Sequence, residues 1–126
     1  MPKSQQVEAF LPLTHLSYHV LLVLAGTKLH GYGIIKEVYE RTDGAMDLET
    51  GTLYAAIKRL RDEALIDVAT PPQGDAGADT RRRYYALTDL GTKVLEAESD
   101  RLARLVSLAR EKKLVGEVGR AQRAES

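Results

Sequence analysis

The sequence predicts a mainly α chain with a small antiparallel β-hairpin. Three observations carry this: three apolar stripes at helical spacing in the first half, a turn-rich break followed by an alternating aromatic run, and a long helical segment at the end. With 126 residues the chain has room for one core and an appendage, not for two independent domains. Apolar residues make up 44% and charged residues 29%, with a single Phe and no Trp, so a folded globular chain is expected rather than a disordered one.

After a polar lead-in over 1–12, Leu13, Leu16, Val20, Val23 and Leu24 recur at helical spacing, with Thr14 as the N-cap and Gly26 as the stop. Leu21 and Leu22 make this first helix apolar nearly all round, which suggests burial against more than its own core. Leu29-His30-Gly31 reads as a turn, and His30 as a residue that shapes it. A second helix follows, with Ile34, Ile35, Val38 and Tyr39 on its apolar side and Glu37 and Arg41 as an i, i+4 ion pair. Asp43 and Gly44 end it. The third helix starts near Glu49 or Thr50 and puts Leu53, Ile57, Leu60 and Ala64 on a narrow core-facing stripe. Its outer faces carry Thr52, Tyr54, Ala55, Lys58, Arg59, Arg61 and Asp62. Leu65 to Thr70 is extended, PPQGDAGADT is a flexible tip, and RRRYYALT returns as a strand with Tyr85 and Leu87 alternating against Arg82, Tyr84 and Ala86. Thr88 or Asp89 caps a last helix over 89–113, and 114–126 is expected to be a disordered tail.

Three helices followed by a two-stranded hairpin is the order of a winged helix-turn-helix, here spanning 13–88, whose third helix lies in the DNA major groove while the wing contacts the backbone or minor groove. The charge total does not support DNA binding: 18 Lys and Arg balance 18 Asp and Glu. The distribution does. Residues 1–50 hold four basic and six acidic side chains, whereas Lys58, Arg59 and Arg61 and the run Arg81-Arg82-Arg83 concentrate six cations in two short segments. Three arginines alone would more often be a solvated strand edge, but a basic helix upstream and an aromatic strand downstream turn that weighting toward DNA. Tyr54 can position a phosphate, and either Lys58 or Arg59 can reach guanine O6 and N7.

LHGYGIIKEV, LETGTLYAAIKRL, ALIDV and RRRYYALTDLG, in that order and spacing, resemble the PadR family of transcriptional regulators across roughly residues 13 to 110. The resemblance implies a winged helix-turn-helix head, a C-terminal dimerisation helix, and repression of neighbouring genes that a small-molecule effector relieves. It also implies that Tyr32, Thr52, Tyr54, Lys58, Arg59, Arg82, Arg83 and Tyr84 face DNA. Ala64 stands where family members often have glycine, and a left-handed Ala there costs about 1 kcal/mol.

A helix of about twenty residues reaches some 30 Å at ~1.5 Å per residue, longer than the head needs. Its apolar face would be exposed in a monomer, which makes Leu95, Leu102, Leu105, Val106 and Leu108 the expected homodimer interface. His15 and His19 lie one turn apart and read as surface or interface histidines rather than a metal pair, since no carboxylate or cysteine accompanies them; with Tyr18 on the same face they also mark a candidate small-molecule pocket between this helix and the last. No cofactor is expected, and no phosphate loop, nucleophile elbow or paired-carboxylate motif suggests an enzyme. The absence of cysteine fits a reducing cytoplasm. The longest apolar run, Val20 to Ala25, is far below the roughly 18 residues of a membrane span. The expected partners are therefore a double-stranded DNA operator and a second copy of the chain. The alternative from another class is a winged-helix protein-interaction module, which the neutral charge and the acidic Asp62, Glu63 and Asp67 favour.

Overall fold

The computed structural model describes residues 3–72 and 82–116. In chain order they form α1 (Lys3–Glu8), α2 (His15–Leu24), β1 (Leu29–His30), α3 (Gly31–Arg41), α4 (Thr50–Asp62), β2 (Ile66–Ala69), β3 (Tyr84–Leu87) and α5 (Asp89–Glu111). The fold is mainly helical, as the apolar stripes predict, with α2, α3 and α4 in the expected places.

Two elements differ from the sequence reading. The supposed lead-in forms α1, which packs on α5 and buries Val7. The supposed turn at Leu29-His30 is a strand, so the hairpin becomes a three-stranded antiparallel sheet in the order β1-β3-β2. Leu29 pairs with Tyr85 and His30 with Tyr84, while β2 runs from Ile66 opposite Leu87 to Ala69 opposite Tyr84. Two residues are too few to display alternation, which is why a period-2 search passes over β1. Residues 73–81 and 117–126 lie outside the described residues, and with them the hairpin tip, Arg81 and most of the expected tail.

Val20, Leu21 and Leu24 of α2, Ile34 and Val38 of α3, and Leu53, Ile57 and Leu60 of α4 meet at the centre. Leu65, Ile66, Tyr85, Val94 and Leu95 close it from the sheet and α5. Leu95 is thus a correction: it packs in the chain's own core, because the first turns of α5 lie on the head, and it is not available to a second copy. Leu22 of the uniformly apolar α2 is the opposite case, 44% exposed.

Local capping sets the element ends. Thr14 Oγ1 accepts the Ser17 N–H at 3.1 Å, as expected of the α2 N-cap, and the chain leaves that helix through Gly26 at φ 74°. Ala64 does not extend the α4 stripe; it is exposed beyond the helix end at φ 62°, and Ala56 joins the buried set instead. There the Leu65 N–H returns to the Leu60 carbonyl and the Ala64 N–H to that of Arg61, each at 2.9 Å, which is a Schellman closure built on alanine. The Thr88 hydroxyl donates to the Ala64 carbonyl at 2.6 Å and accepts the Gly91 N–H at 2.9 Å, so one side chain both caps α5 and holds the end of α4. Replacing Ala64 with Gly removes the left-handed strain. It should stabilise the fold by about 1 kcal/mol, a rise of about 4 °C in a thermal unfolding scan. An unchanged or lower Tm would contradict a strained Ala64.

Glu98 on α5 is 1% exposed, a burial the sequence does not announce. Its Oε2 accepts the Leu13 N–H at 2.8 Å, and both carboxylate oxygens accept from the Arg101 guanidinium. Arg101 and, to a lesser extent, the Leu13 N–H hold this carboxyl below the usual carboxylate range, against the opposing push of burial. A carboxyl with a lowered folded-state pKa stabilises the fold above its unfolded value of about 4.3 and loses that contribution as pH falls through the folded value. Glu98→Gln should therefore destabilise the protein by about 2 kcal/mol at pH 7, because Arg101 keeps its charge without its partner. Urea unfolding should show the gap to the parent narrowing as pH falls below about 4.3 and through the lowered folded-state value. A gap independent of pH would refute the charged role.

Candidate nucleic-acid interface

His30 lies immediately before α3, and its Nδ1 accepts the Gly33 N–H at 3.0 Å, the side-chain N-cap of that helix. In the neutral ring the proton is then on Nε2. The ring lies nearly parallel to Tyr32, centroids 6.3 Å apart, and edge-on to Tyr84 at 5.3 Å. Tyr84 alternates with the core-lining Tyr85, as the sequence implies, but it is buried rather than exposed, with its ring against His30 of the unforeseen β1.

Close to His30 the chain brings distant residues together. A groove of about 300 Å³ is lined by Tyr32 from α3, Tyr54 from α4, and Arg82 and Arg83 from the base of the wing. Tyr32 is 70% and Tyr54 46% exposed, and both arginines are exposed. The Tyr54 hydroxyl packs onto the Gly31 backbone so closely that a Cβ built on Gly31 would lie 2.3 Å from it; the missing side chain seats the phenol. Four of the expected DNA-facing residues, separated by up to fifty-one positions, thus share one concave surface.

The outer side of α4 continues this surface. Gly51, Thr52, Ala55 and Lys58 are exposed there, while Leu53, Ala56, Ile57 and Leu60 face inward. The cations divide by direction. Lys58 bonds Asp62 at 2.9 Å and Arg61 approaches Asp67 on β2 at 3.6 Å, and all four line a groove of about 510 Å³ between α4 and β2. Arg59 turns the other way and donates to Ser17 Oγ on α2 at 3.1 Å. Both candidates for base reading, Lys58 and Arg59, are exposed and each is bonded within the chain, Lys58 to Asp62 and Arg59 to Ser17. Arg81 falls outside the described residues.

Away from this face, Leu105, Val106 and Leu108 on the distal half of α5 are 48%, 42% and 58% exposed, Leu102 is half-buried, and Leu114 beyond the helix is 71% exposed. His15 and His19 touch edge to face, with ring centroids 4.5 Å apart, while Tyr18 instead bonds Ser99 Oγ on α5 at 2.8 Å. His19 lines a groove of about 630 Å³ between α2 and α3, together with Leu22, Val23, Leu29 and Arg41. Burial, and then the neighbouring His15, lower the His19 pKa. Among the described residues no group of three or more His, Cys, Asp or Glu side chains is placed to hold a metal, and no helix is long and apolar enough to cross a membrane.

The family model for PadR-like transcriptional regulators matches residues 20–97. An uncharacterized protein of Lysinibacillus sphaericus is 31% identical over 81 residues, 64% of this chain and 72% of that one. A PadR family transcription regulator from Clostridium difficile superposes with a TM-score of 0.64 at 28% identity, over 77% of this chain and 96% of that one. Bacillus subtilis PadR in complex with operator DNA superposes with a TM-score of 0.54 at 29% identity, over 65% of this chain and 46% of that one, so the present chain spans less than half of that protein.

Proposed function

The chain belongs to the PadR-like family of transcriptional regulators, a family of regulators and not of enzymes, and from that premise we propose that it binds an operator in duplex DNA as a homodimer. The observation that carries this reading is the shared surface of Tyr32, Tyr54, Arg82 and Arg83 beside the exposed side of α4. The relative solved with operator DNA supports it through the common fold. Here α4 enters the major groove with Lys58 toward base edges and Thr52 on its flank. Tyr32, Tyr54, Arg82 and Arg83 hold phosphates, which fix register without reading sequence.

Leu102, Leu105, Val106 and Leu108 join two copies through α5 and set the recognition helices about one DNA turn apart, ~34 Å. The chain then acts in the cytoplasm as a repressor of its own or neighbouring genes, and a small-molecule effector releases it. The groove beside His19 is the place we assign to that effector.

The test is titration of the DNA upstream of its own gene, over a salt series, against an unrelated duplex of equal length. The reading predicts selective binding with a Kd on the order of 10 nM that weakens steeply with salt. Equal affinity for both duplexes would sink the operator assignment, and no affinity for either would favour a protein-interaction module. Adding candidate effectors to the bound complex tests release separately.

A further inference from the structure

The cations of α4 are accompanied by acids in the same short stretch. Lys58, Arg59 and Arg61 face Asp62, Glu63 and Asp67, so residues 50–70 carry no net charge. Two of these acids do more than neighbour the cations: Asp62 bonds Lys58 and Asp67 meets Arg61. Asp67 Oδ1 also accepts the neighbouring Val68 N–H at 2.7 Å, yet neither acid suits its element. Asp62 occupies the last turn of α4, where the helix dipole disfavours an anion, and it follows Lys58 in the less favourable order for an i, i+4 pair. Asp67 sits inside β2, where aspartate is a poor strand former. Both pairs are exposed, Lys58 and Asp62 at 78% and 65% and Arg61 and Asp67 at 38% and 71%, so they add little to stability.

An exposed pair does, however, change the field that DNA meets. At several ångströms a phosphate experiences a lysine with a carboxylate 2.9 Å away as a dipole, and the attraction of the bare cation is largely cancelled. We propose that Asp62 and Asp67 are specificity-determining residues: they act as intramolecular counterions that suppress the hold of Lys58 and Arg61 on non-operator DNA. This rests on the DNA-binding reading and adds to it. Only a base edge at contact distance, in the correct register, competes with the acid for the cation. The wing arginines meanwhile supply attraction that does not depend on sequence. Selectivity is then produced by weakening the wrong complexes, not only by strengthening the right one.

The experiment compares Asp62→Asn and Asp67→Asn with the parent, by fluorescence anisotropy on labelled upstream and unrelated duplexes from 50 to 200 mM salt. Each variant keeps the shape of the side chain and removes its charge. For the unrelated duplex, affinity should rise about threefold to tenfold at low salt, and the slope of log K against log salt should steepen by about 0.9 for each cation released. The upstream duplex should gain less, so the ratio of the two affinities falls. Lys58→Gln combined with Asp62→Asn should return the unrelated-duplex affinity to near the parent value, which a purely structural effect of Asp62 would not do. Thermal unfolding of each variant should match the parent, and a lower Tm accompanied by weaker binding would overturn the proposal. If the parent binds its upstream DNA selectively and both variants leave affinities and slopes unchanged, or raise both affinities equally, the counterion role is wrong and the DNA-binding reading stands. If neither parent nor variants bind any duplex, the DNA-binding reading fails and this inference with it.

Discussion

Replacing Arg82 and Arg83 together with alanine lowers affinity for every duplex, operator and unrelated alike, by about the same factor. The two exposed arginines line a groove with Tyr32 and Tyr54 at the base of the wing, beside the outer side of α4 rather than on it. Contacts made from there reach phosphates, which are identical at every base pair. Losing two phosphate contacts flattens the salt slope by about two units and weakens binding on the order of tenfold to a hundredfold near physiological salt. Sequence preference should survive, because Lys58 and the rest of α4 are untouched. Stability should survive as well, since exposed substitutions of this kind move it by less than about 0.5 kcal/mol. Anisotropy titrations on both duplexes check this, and a loss confined to the operator would mean that the wing reads bases.

Gly91→Ala has the largest expected effect on the fold. A Cβ at Gly91 would lie 1.9 Å from the Leu65 carbonyl oxygen and 2.8 Å from its carbon. Both are backbone atoms, held by the Schellman closure at the end of α4 and by the Thr88 N–H donating to that same oxygen at 3.1 Å. They cannot swing away as a side chain would. The start of α5 must retreat from the sheet, opening the contact that buries Val94 and Leu95. We expect a loss of about 3 kcal/mol, at the upper end for overpacking, and a Tm lower by about 10 °C.

Gly31→Ala is the instructive contrast. It meets only the Tyr54 ring, which can rotate, so thermal unfolding should change little while affinity for all DNA falls severalfold as the phenol is displaced. A similar Tm loss in both variants would contradict the distinction between a backbone and a side-chain clash.

Much of this architecture is legible in the chain because it rests on local signals. Thr14 and Thr88 announce their helices through cap chemistry, and Leu53, Ile57 and Leu60 announce the inward face of α4 through spacing. What escaped the sequence depends on partners far along the chain. Glu98 is buried because Leu13, eighty-five positions earlier, turns its N–H toward it. Arg59, though exposed, donates to Ser17, forty-two positions away. Tyr84 is buried with its ring against His30, fifty-four positions earlier, on a two-residue strand too short to show a pattern.

Leu95 and Leu105 belong to one helix and one apolar stripe, yet one packs in the head and the other is exposed, since the head ends partway along α5. Periodicity gives the face of a helix and not what covers each part of it. The same holds for the candidate site. Residue types and rough location were readable, whereas the pairing of Lys58 and Arg61 with acids required coordinates.

Hydroxyl-radical footprinting of the chain on the DNA upstream of its own gene tests the central claim most directly. A homodimer with α4 in the major groove and the wing on the backbone predicts two protected half-sites related by a dyad, their centres about one helical turn (~10 bp) apart. Protection should shrink at the edges of each half-site when Arg82 and Arg83 are replaced. A single protected patch without symmetry, or uniform cleavage at concentrations that saturate binding, would contradict it.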